Sequence, residues 1–193
     1  DPAFQRRIRQ FARRFSFSIN EYDSSRGFAA GHDIRLNGKV LAEFLDGASR
    51  DEDGNKVVPG FAFGAPDEFV EGLLSGYFSG DGSVAKNAVR AASTSDRLMV
   101  GIGLLLGRIG VYGRFGENKN TRTLRIPKKF VPRFAEHVDI VGERGAQLDE
   151  LFVTVEPDAP DVADQIPNFG TALETAATEA GIPQRQVNSA TER

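Results

Sequence analysis

Hydrophobic positions over the first fifteen residues recur every three to four places. Phe4, Ile8, Phe11 and Phe15 share one face and Arg6, Arg7, Arg9, Arg13 and Arg14 fill the others, so 3–15 is predicted helical. The period then shortens. Phe17, Ile19 and Tyr22, followed by Phe28, Ile34 and Leu36 with Gly27 and Gly31 among them, predict two short strands joined by the polar stretch 23–27. Asn37-Gly38 breaks the pattern, and Val40, Leu41, Phe44 and Leu45 predict a short helix that stops before Gly47. Residues 47–60 are polar with Gly and Pro punctuation and read as a linker between two units.

The second unit opens at Pro66-Asp67. Phe69, Leu73, Leu74, Tyr77 and Phe78 carry a helix to about Gly80, and 84–92 reads as a strand. After Ser95 and Asp96, the residues Leu98, Val100, Ile102, Leu105, Leu106 and Ile109 predict another helix, closed by Gly110. Residues 111–115 and 121–126 read as paired strands around a polar turn at 116–120; Pro127 ends the second, and 130–138 reads as a helix. This order predicts an α+β fold whose first unit is a shortened copy of its second. Beyond it, 154–166 is acidic and proline-bearing and therefore extended, 171–180 is an alanine-rich helix ended by Gly181 and Pro183, and 184–193 is polar.

Composition removes several chemistries. With no cysteine, the chain has no disulfide, no thiolate zinc site and no thiol nucleophile. Its only histidines, His32 and His137, are too few for a histidine-built zinc site. No apolar run approaches the length of a membrane span and the N-terminal residues lack a signal-peptide core, so a cytoplasmic protein without membrane contact is expected. The formal charge of −3 conceals a strong asymmetry. Residues 85–133 hold eleven Lys/Arg against two Asp/Glu, a net +9, whereas 134–193 is −9. A cationic surface of that kind suits a phosphate backbone, because neutralised phosphates release counterions; the plainer alternative is a solvated basic surface.

The segment 69–84, FVEGLLSGYFSGDGSV, concentrates the chemistry. Gly72, Gly76 and Gly80 recur every four residues on one helical face, and each costs about 1 kcal/mol relative to alanine inside a helix. Such a stripe lets two helix backbones approach closely. Asp81 and Gly82 follow directly. A carboxylate at the foot of a closely packed helix can be held near a second acid and share divalent metal with it. The same residues also describe a core helix ending in an Asp-Gly turn.

LSGYFSGDG, 74–82, resembles the signature of the LAGLIDADG homing endonucleases, in the variant found in dodecapeptide-type enzymes inside archaeal inteins. KVVP at 56–59 resembles the lysine block between the two halves of that family; 92–115 resembles its serine-led, leucine-rich helix and following strand; LRIPKKF resembles the strand and turn before its last helix; and 1–15 resembles the middle helix of a first half. The likeness covers about 1–150. It implies an αββαββα half with an antiparallel saddle sheet over DNA, complete in the second half and truncated in the first. Residues 1–50 are then the remnant of the first half, 51–66 an inter-half linker with the lysine block, 67–150 the second half, and 151–193 an acidic linker with a small helical tail. The implied activity is Mg²⁺-dependent double-strand cleavage of a specific DNA site. The implied roles are metal ligand for Asp81 and for the Gly80 carbonyl, steadying of the attacking water or of transition-state charge for Lys56, and helix packing for Gly72, Gly76 and Gly80. Lys86, Arg90, Arg114, Lys119, Arg122 and Arg125 on the second-half strands, with Arg26, Arg35 and Lys39 near the first-half strands, are the implied DNA contacts.

The sequence departs from this pattern in two ways. It carries one such motif and one such acid, so the expected partner is a missing N-terminal half or a second copy of the chain. Position 79 is serine where the family often has an acid. Splicing residues are also absent: the chain starts at Asp1 and ends Thr191-Glu192-Arg193, so no self-splicing is expected. Two alternatives stay open at this point, a decayed relative that binds DNA without cutting and a DNA- or RNA-binding use of the same saddle. The tail loosely suggests a helix-turn-helix, but its charge argues for a packing role.

Overall fold

Val70, Leu74 and Phe78 fall four residues apart on one face of α3 (Asp67–Asp81), and all three are fully buried. They meet the inner face of α4 (Asp96–Arg108), where Leu98, Met99, Ile102, Leu105 and Leu106 are buried. In the computed structural model, which describes residues 2–24, 31–156 and 169–183, these two helices and a four-stranded antiparallel sheet enclose the main core. The sheet runs in the order β3 (Gly82–Ala85), β4 (Ala88–Ser93), β6 (Thr121–Pro127), β5 (Arg114–Asn118). Its register pairs Val89 with Ile126 and Ala91 with Leu124, and these four side chains are buried toward the helices. Alternation then commits Arg90 and Arg125, the intervening pair, to the opposite face.

Two further helices close the core. α5 (Val131–His137) contributes Phe134, whose ring meets Phe78 edge-on at 5.0 Å. α6 (Glu143–Phe152) lies against β3 and α5 through buried Leu148 and Leu151. The segment between them is fastened to α3. The Ser75 hydroxyl accepts the Asp139 N–H at 2.9 Å and the Ser79 hydroxyl accepts the Val141 N–H at 3.1 Å. Each buried hydroxyl is thereby satisfied by a backbone donor. No helix among the described residues is long and apolar enough to cross a membrane.

The N-terminal part has the same ingredients and far less burial. α1 (Pro2–Arg14) packs on the hairpin of β1 (Ser18–Ser24) and β2 (Gly31–Asn37), and α2 (Lys39–Ser49) follows. Ala12 is the only buried residue of α1, and α2 has none. Phe11, Phe15, Phe44 and Leu45 stay exposed. The chain comprises two compact units, Asp1–Val155 and Glu156–Arg193. The second unit holds α7 (Phe169–Glu179), closed by Gly181 at φ +68° with the Ile182 N–H returning to the Ala177 carbonyl at 2.8 Å.

Several predicted boundaries change. The stretch 84–92 is a hairpin, turning at Lys86 and Asn87, instead of one strand. The later turn is only Lys119-Asn120, not 116–120, with Lys119 at φ +52°. α2 runs through Gly47, held by the Ser49 hydroxyl donating to the Leu45 carbonyl at 2.5 Å and by an Asp46–Arg50 ion pair. α6 has no counterpart in the sequence reading. The link between β1 and β2, residues 25–30, lies outside the described residues.

The first hairpin carries a charged cluster that makes a pH prediction. Arg9 forks onto Glu21 at 2.6 and 2.8 Å, and both ring nitrogens of His32 are engaged, Nδ1 by Asp23 at 2.9 Å and Nε2 by Glu21 at 2.8 Å. The Asp23 and Glu21 hydrogen bonds raise the His32 pKa above 6.5. The Arg9 hydrogen bond, then that of His32, lowers Glu21 from 4.5 to about 2. A raised histidine stabilises fully below its unfolded pKa and loses that contribution as pH rises through the folded one. A lowered carboxylate stabilises above its unfolded pKa and loses that contribution as pH falls. The hairpin is therefore expected to be most protected between about pH 4.5 and 6.5. Amide exchange of 18–24 and 31–37 against pH, read by NMR beside the His32 ring titration, checks this. A His32 midpoint at or below 6.5 sinks it.

Candidate active site and nucleic-acid interface

α3 ends at Asp81 and β3 begins at Gly82, with no loop between them. The Gly82 N–H returns to the Phe78 carbonyl, and a side chain at Gly82 would collide with the Phe78 backbone, so the chain turns from helix to strand in the least space available. Asp81 is exposed at this junction and its side chain makes no hydrogen bond or ion pair among the described residues. Beside it the Tyr77 phenol donates to the Met99 sulfur at 3.4 Å; burial, then the Asp81 charge, pushes its pKa up to about 12.

Gly72, Gly76 and Gly80 line the exposed face of α3. A methyl group at any of them would meet nothing within 4 Å. The stripe is thus open, and at its upper end a chain of exposed rings continues it: Phe69 meets Phe61 at 5.7 Å, and Phe61 meets Phe44 of α2 at 6.2 Å.

Lys56 sits on a tight turn rather than a loose linker. The Asp51 carboxylate, 7% exposed, accepts the N–H groups of Asp53 and Asn55 at 3.1 and 2.8 Å and pairs with Arg97 at 3.1 Å. Burial opposes its charge, but those donors prevail and its pKa is lowered. Gly54 takes φ +77° at the tip, and Arg50 and Lys56 close the turn as a β-bridge. The Ser95 hydroxyl, which caps α4 by accepting the Leu98 N–H, donates to the Lys56 carbonyl at 2.5 Å. Ser95 lies just beyond the end of β4 that pairs with Gly82. The backbones of Lys56 and Asp81 are therefore both anchored to that end of the sheet, with the Lys56 side chain exposed.

The solvent face of the sheet carries a row of arginines. Arg90 pairs with Arg125, and Arg125 with Arg114, so three guanidinium groups lie on neighbouring strands about 4.8 Å apart. Like charges in directly opposed positions are destabilising. Neither Arg90 nor Arg114 has an ion-pair partner among the described residues, and Arg125 donates only to the Asn87 carbonyl, at 3.4 Å. Lys86 and Lys119 stand exposed in the two hairpin turns. Arg122 does not join them. It lies on the other face, against Phe115 and paired with Glu117 at 2.6 Å and Asp96 at 3.1 Å. In the first hairpin Arg35 is exposed opposite Asn20, Lys39 opens α2 beside Glu43 at 3.7 Å, and Arg26 lies outside the described residues.

As a metal site the junction is incomplete. Among the described residues no three acidic or histidine side chains gather to hold an ion. Mg²⁺ is commonly held by one or two carboxylates together with substrate phosphates and water, so Asp81 fits as one hard oxygen donor. The Gly80 carbonyl fits less well, because the Arg144 guanidinium donates to it at 2.9 Å and to the Ser79 carbonyl as well.

Residues 68–144 match a family model described as a LAGLIDADG-like domain. The chain carries a LAGLIDADG-like domain. Over 188 residues, 95% of the chain, it is 35% identical to the DNA-directed RNA polymerase subunit Rpo1C of Methanocaldococcus jannaschii, and it spans 22% of that protein. It is 30% identical over 141 residues to a DNA polymerase of Thermococcus hydrothermalis, of which it spans 8%. The fold is similar to that of the homing endonuclease I-DmoI in complex with DNA and Ca, with a TM-score of 0.56 at 10% identity over 74% of this chain and 73% of that one. In the LAGLIDADG-like domain, sequence reasoning missed Ser75, Ser79 and Arg144. The serines had a legible signal, since two polar residues at i and i+4 on an apolar helix face ask for partners. Arg144 had none, because its place depends on α6.

Proposed function

We propose that this chain is the DNA-binding and metal-binding part of an intein-borne homing endonuclease that makes a Mg²⁺-dependent double-strand cut. The observation that carries this reading is the Arg90–Arg125–Arg114 row, without an acidic partner among the described residues, on an antiparallel sheet whose first strand continues a helix ending in an exposed carboxylate. I-DmoI, similar in fold, has been solved with DNA and Mn. In this reading residues 1–50 belong to a first half, 51–66 carry the lysine turn, 67–150 form the second half and 151–193 the tail. The order helix, hairpin, helix in α1–β1–β2–α2 repeats that in α4–β5–β6–α5, which supports the division.

The arginine row and the turn lysines Lys86 and Lys119 bind phosphates and set the register of the duplex; Arg35 and Lys39 extend the track. Asp81 supplies one carboxylate to Mg²⁺, which when bound polarises the scissile phosphodiester and acidifies water. Lys56 places a positive charge where the phosphorane develops negative charge. The glycine face of α3 seats a partner helix, from a preceding half or a second copy, that brings the second acid. The lone acid favours one other reading, a relative that binds DNA and does not cut.

The test is binding of duplex DNA across a salt series. The triple substitution Arg90→Ala, Arg114→Ala, Arg125→Ala should lower the slope of log K against log salt by about 2–3, as expected for three lost phosphate contacts. An unchanged slope removes the sheet face as the DNA surface.

A further inference from the structure

The end of α3 is poorly prepared for a cation. Its last carbonyls point past Asp81, where unsatisfied helix-end oxygens collect partial negative charge. Arg144 sits on two of them, those of Ser79 and Gly80, the second at 2.9 Å. Its guanidinium is spent on these two neutral carbonyls, although 134–193 holds twelve acidic residues and only two other basic ones. Its placement is also fixed. The Ser75 and Ser79 hydroxyls hold the backbone at Asp139 and Val141, Gly142 turns the chain at φ +76°, and a side chain at the neighbouring Gly145 would strike the Ile140 carbonyl. Arg144 is thus brought to the helix end by several separate constraints.

We infer that Arg144 closes the Asp81 end of α3 to divalent cations until a DNA phosphate draws the guanidinium away. Arg144 is a positioning residue in this scheme: it blocks the Gly80 carbonyl and opposes a second positive charge beside Asp81. A phosphate offers guanidinium two charged oxygens in place of neutral carbonyls, and bidentate pairs of that kind are among the strongest charge-assisted hydrogen bonds. DNA then frees the carbonyl and removes the repulsion together. Metal follows DNA rather than preceding it. The inference rests on the reading of Asp81 as a metal ligand.

The test uses Mn²⁺ alone, without DNA, on the full chain, read as paramagnetic broadening of the Gly80, Asp81 and Gly82 amide signals. Arg144→Gln should need about tenfold less Mn²⁺ than the unaltered chain for half-broadening, the effect of one unit charge a few ångströms away in a partly solvated site. Arg144→Lys, which keeps the charge, should stay close to the unaltered chain and shows that a general loosening is not what is measured. Equal midpoints for Arg144→Gln and the unaltered chain overturn the inference, provided that Asp81→Asn abolishes the broadening. If broadening persists in the Arg144→Gln, Asp81→Asn double variant, Asp81 does not hold the ion, and the inference falls together with the reading beneath it.

Discussion

Asp81→Asn is expected, in the proposed reading, to abolish Mg²⁺-dependent cleavage and to leave duplex binding and folding in place. The replacement is isosteric. The Asp81 side chain is exposed and has no hydrogen bond or ion pair among the described residues to lose, so the effect on stability should stay within about 0.5 kcal/mol. Phosphate binding is assigned to Arg90, Arg114 and Arg125, on other strands, so affinity should hold. Losing a charged ligand at the reacting phosphate removes stabilisation that exists only in the transition state. A loss on the order of a thousandfold in kcat matches what other groups facing developing charge contribute. Single-turnover cleavage beside a binding isotherm separates the two. Cleavage at the unaltered rate means that the chemistry lies elsewhere.

Phe78→Ala should produce the largest loss of stability. Phe78 and Phe134 are both fully buried, and their rings meet at 5.0 Å and 82°. Removing a buried phenyl group costs about 3–5 kcal/mol, a large share of the roughly 5–15 kcal/mol that stabilises an ordinary domain. Here the loss reaches the site, because the Phe78 carbonyl receives the Gly82 N–H and the Phe78 ring packs beside Gly82. Phe44→Ala provides the contrast: that ring is 57% exposed and should cost far less. Urea melts of the three proteins decide the matter, and a cost below about 1 kcal/mol for Phe78→Ala would mean that the core collapses around the gap.

What could be read from the sequence was whatever depended on one strong period. α3 with its glycine stripe, α4 between Asp96 and Gly110, and the strand ending at Pro127 were all legible, since each carries its own repeat and its own stop. Features that depend on a neighbour were not. The hairpin across 84–92 was hidden because Lys86-Asn87 lacks the glycine that usually marks so tight a turn. α6 was hidden because Leu148 and Leu151 acquire meaning only against β3 and α5. The turn bearing Lys56 resembled a linker because it is polar, yet Asp51 shows that its polar residues are the scaffold. The arginine row needed the strand register, which sets Arg90, Arg125 and Arg114 side by side and turns Arg122 away.

The direct passage from Asp81 to Gly82 has a geometric consequence. A helix that becomes a strand without a loop gives the carboxylate no slack relative to the sheet that follows it. In the proposed reading, the number of base pairs between the contacts made by the sheet and the bond that is cut is then a fixed dimension of the backbone. Altering Arg90, Arg114 or Arg125 would then change how tightly DNA is held and leave the stagger of the cut where it was. In that reading the protein is a gauge as well as a grip.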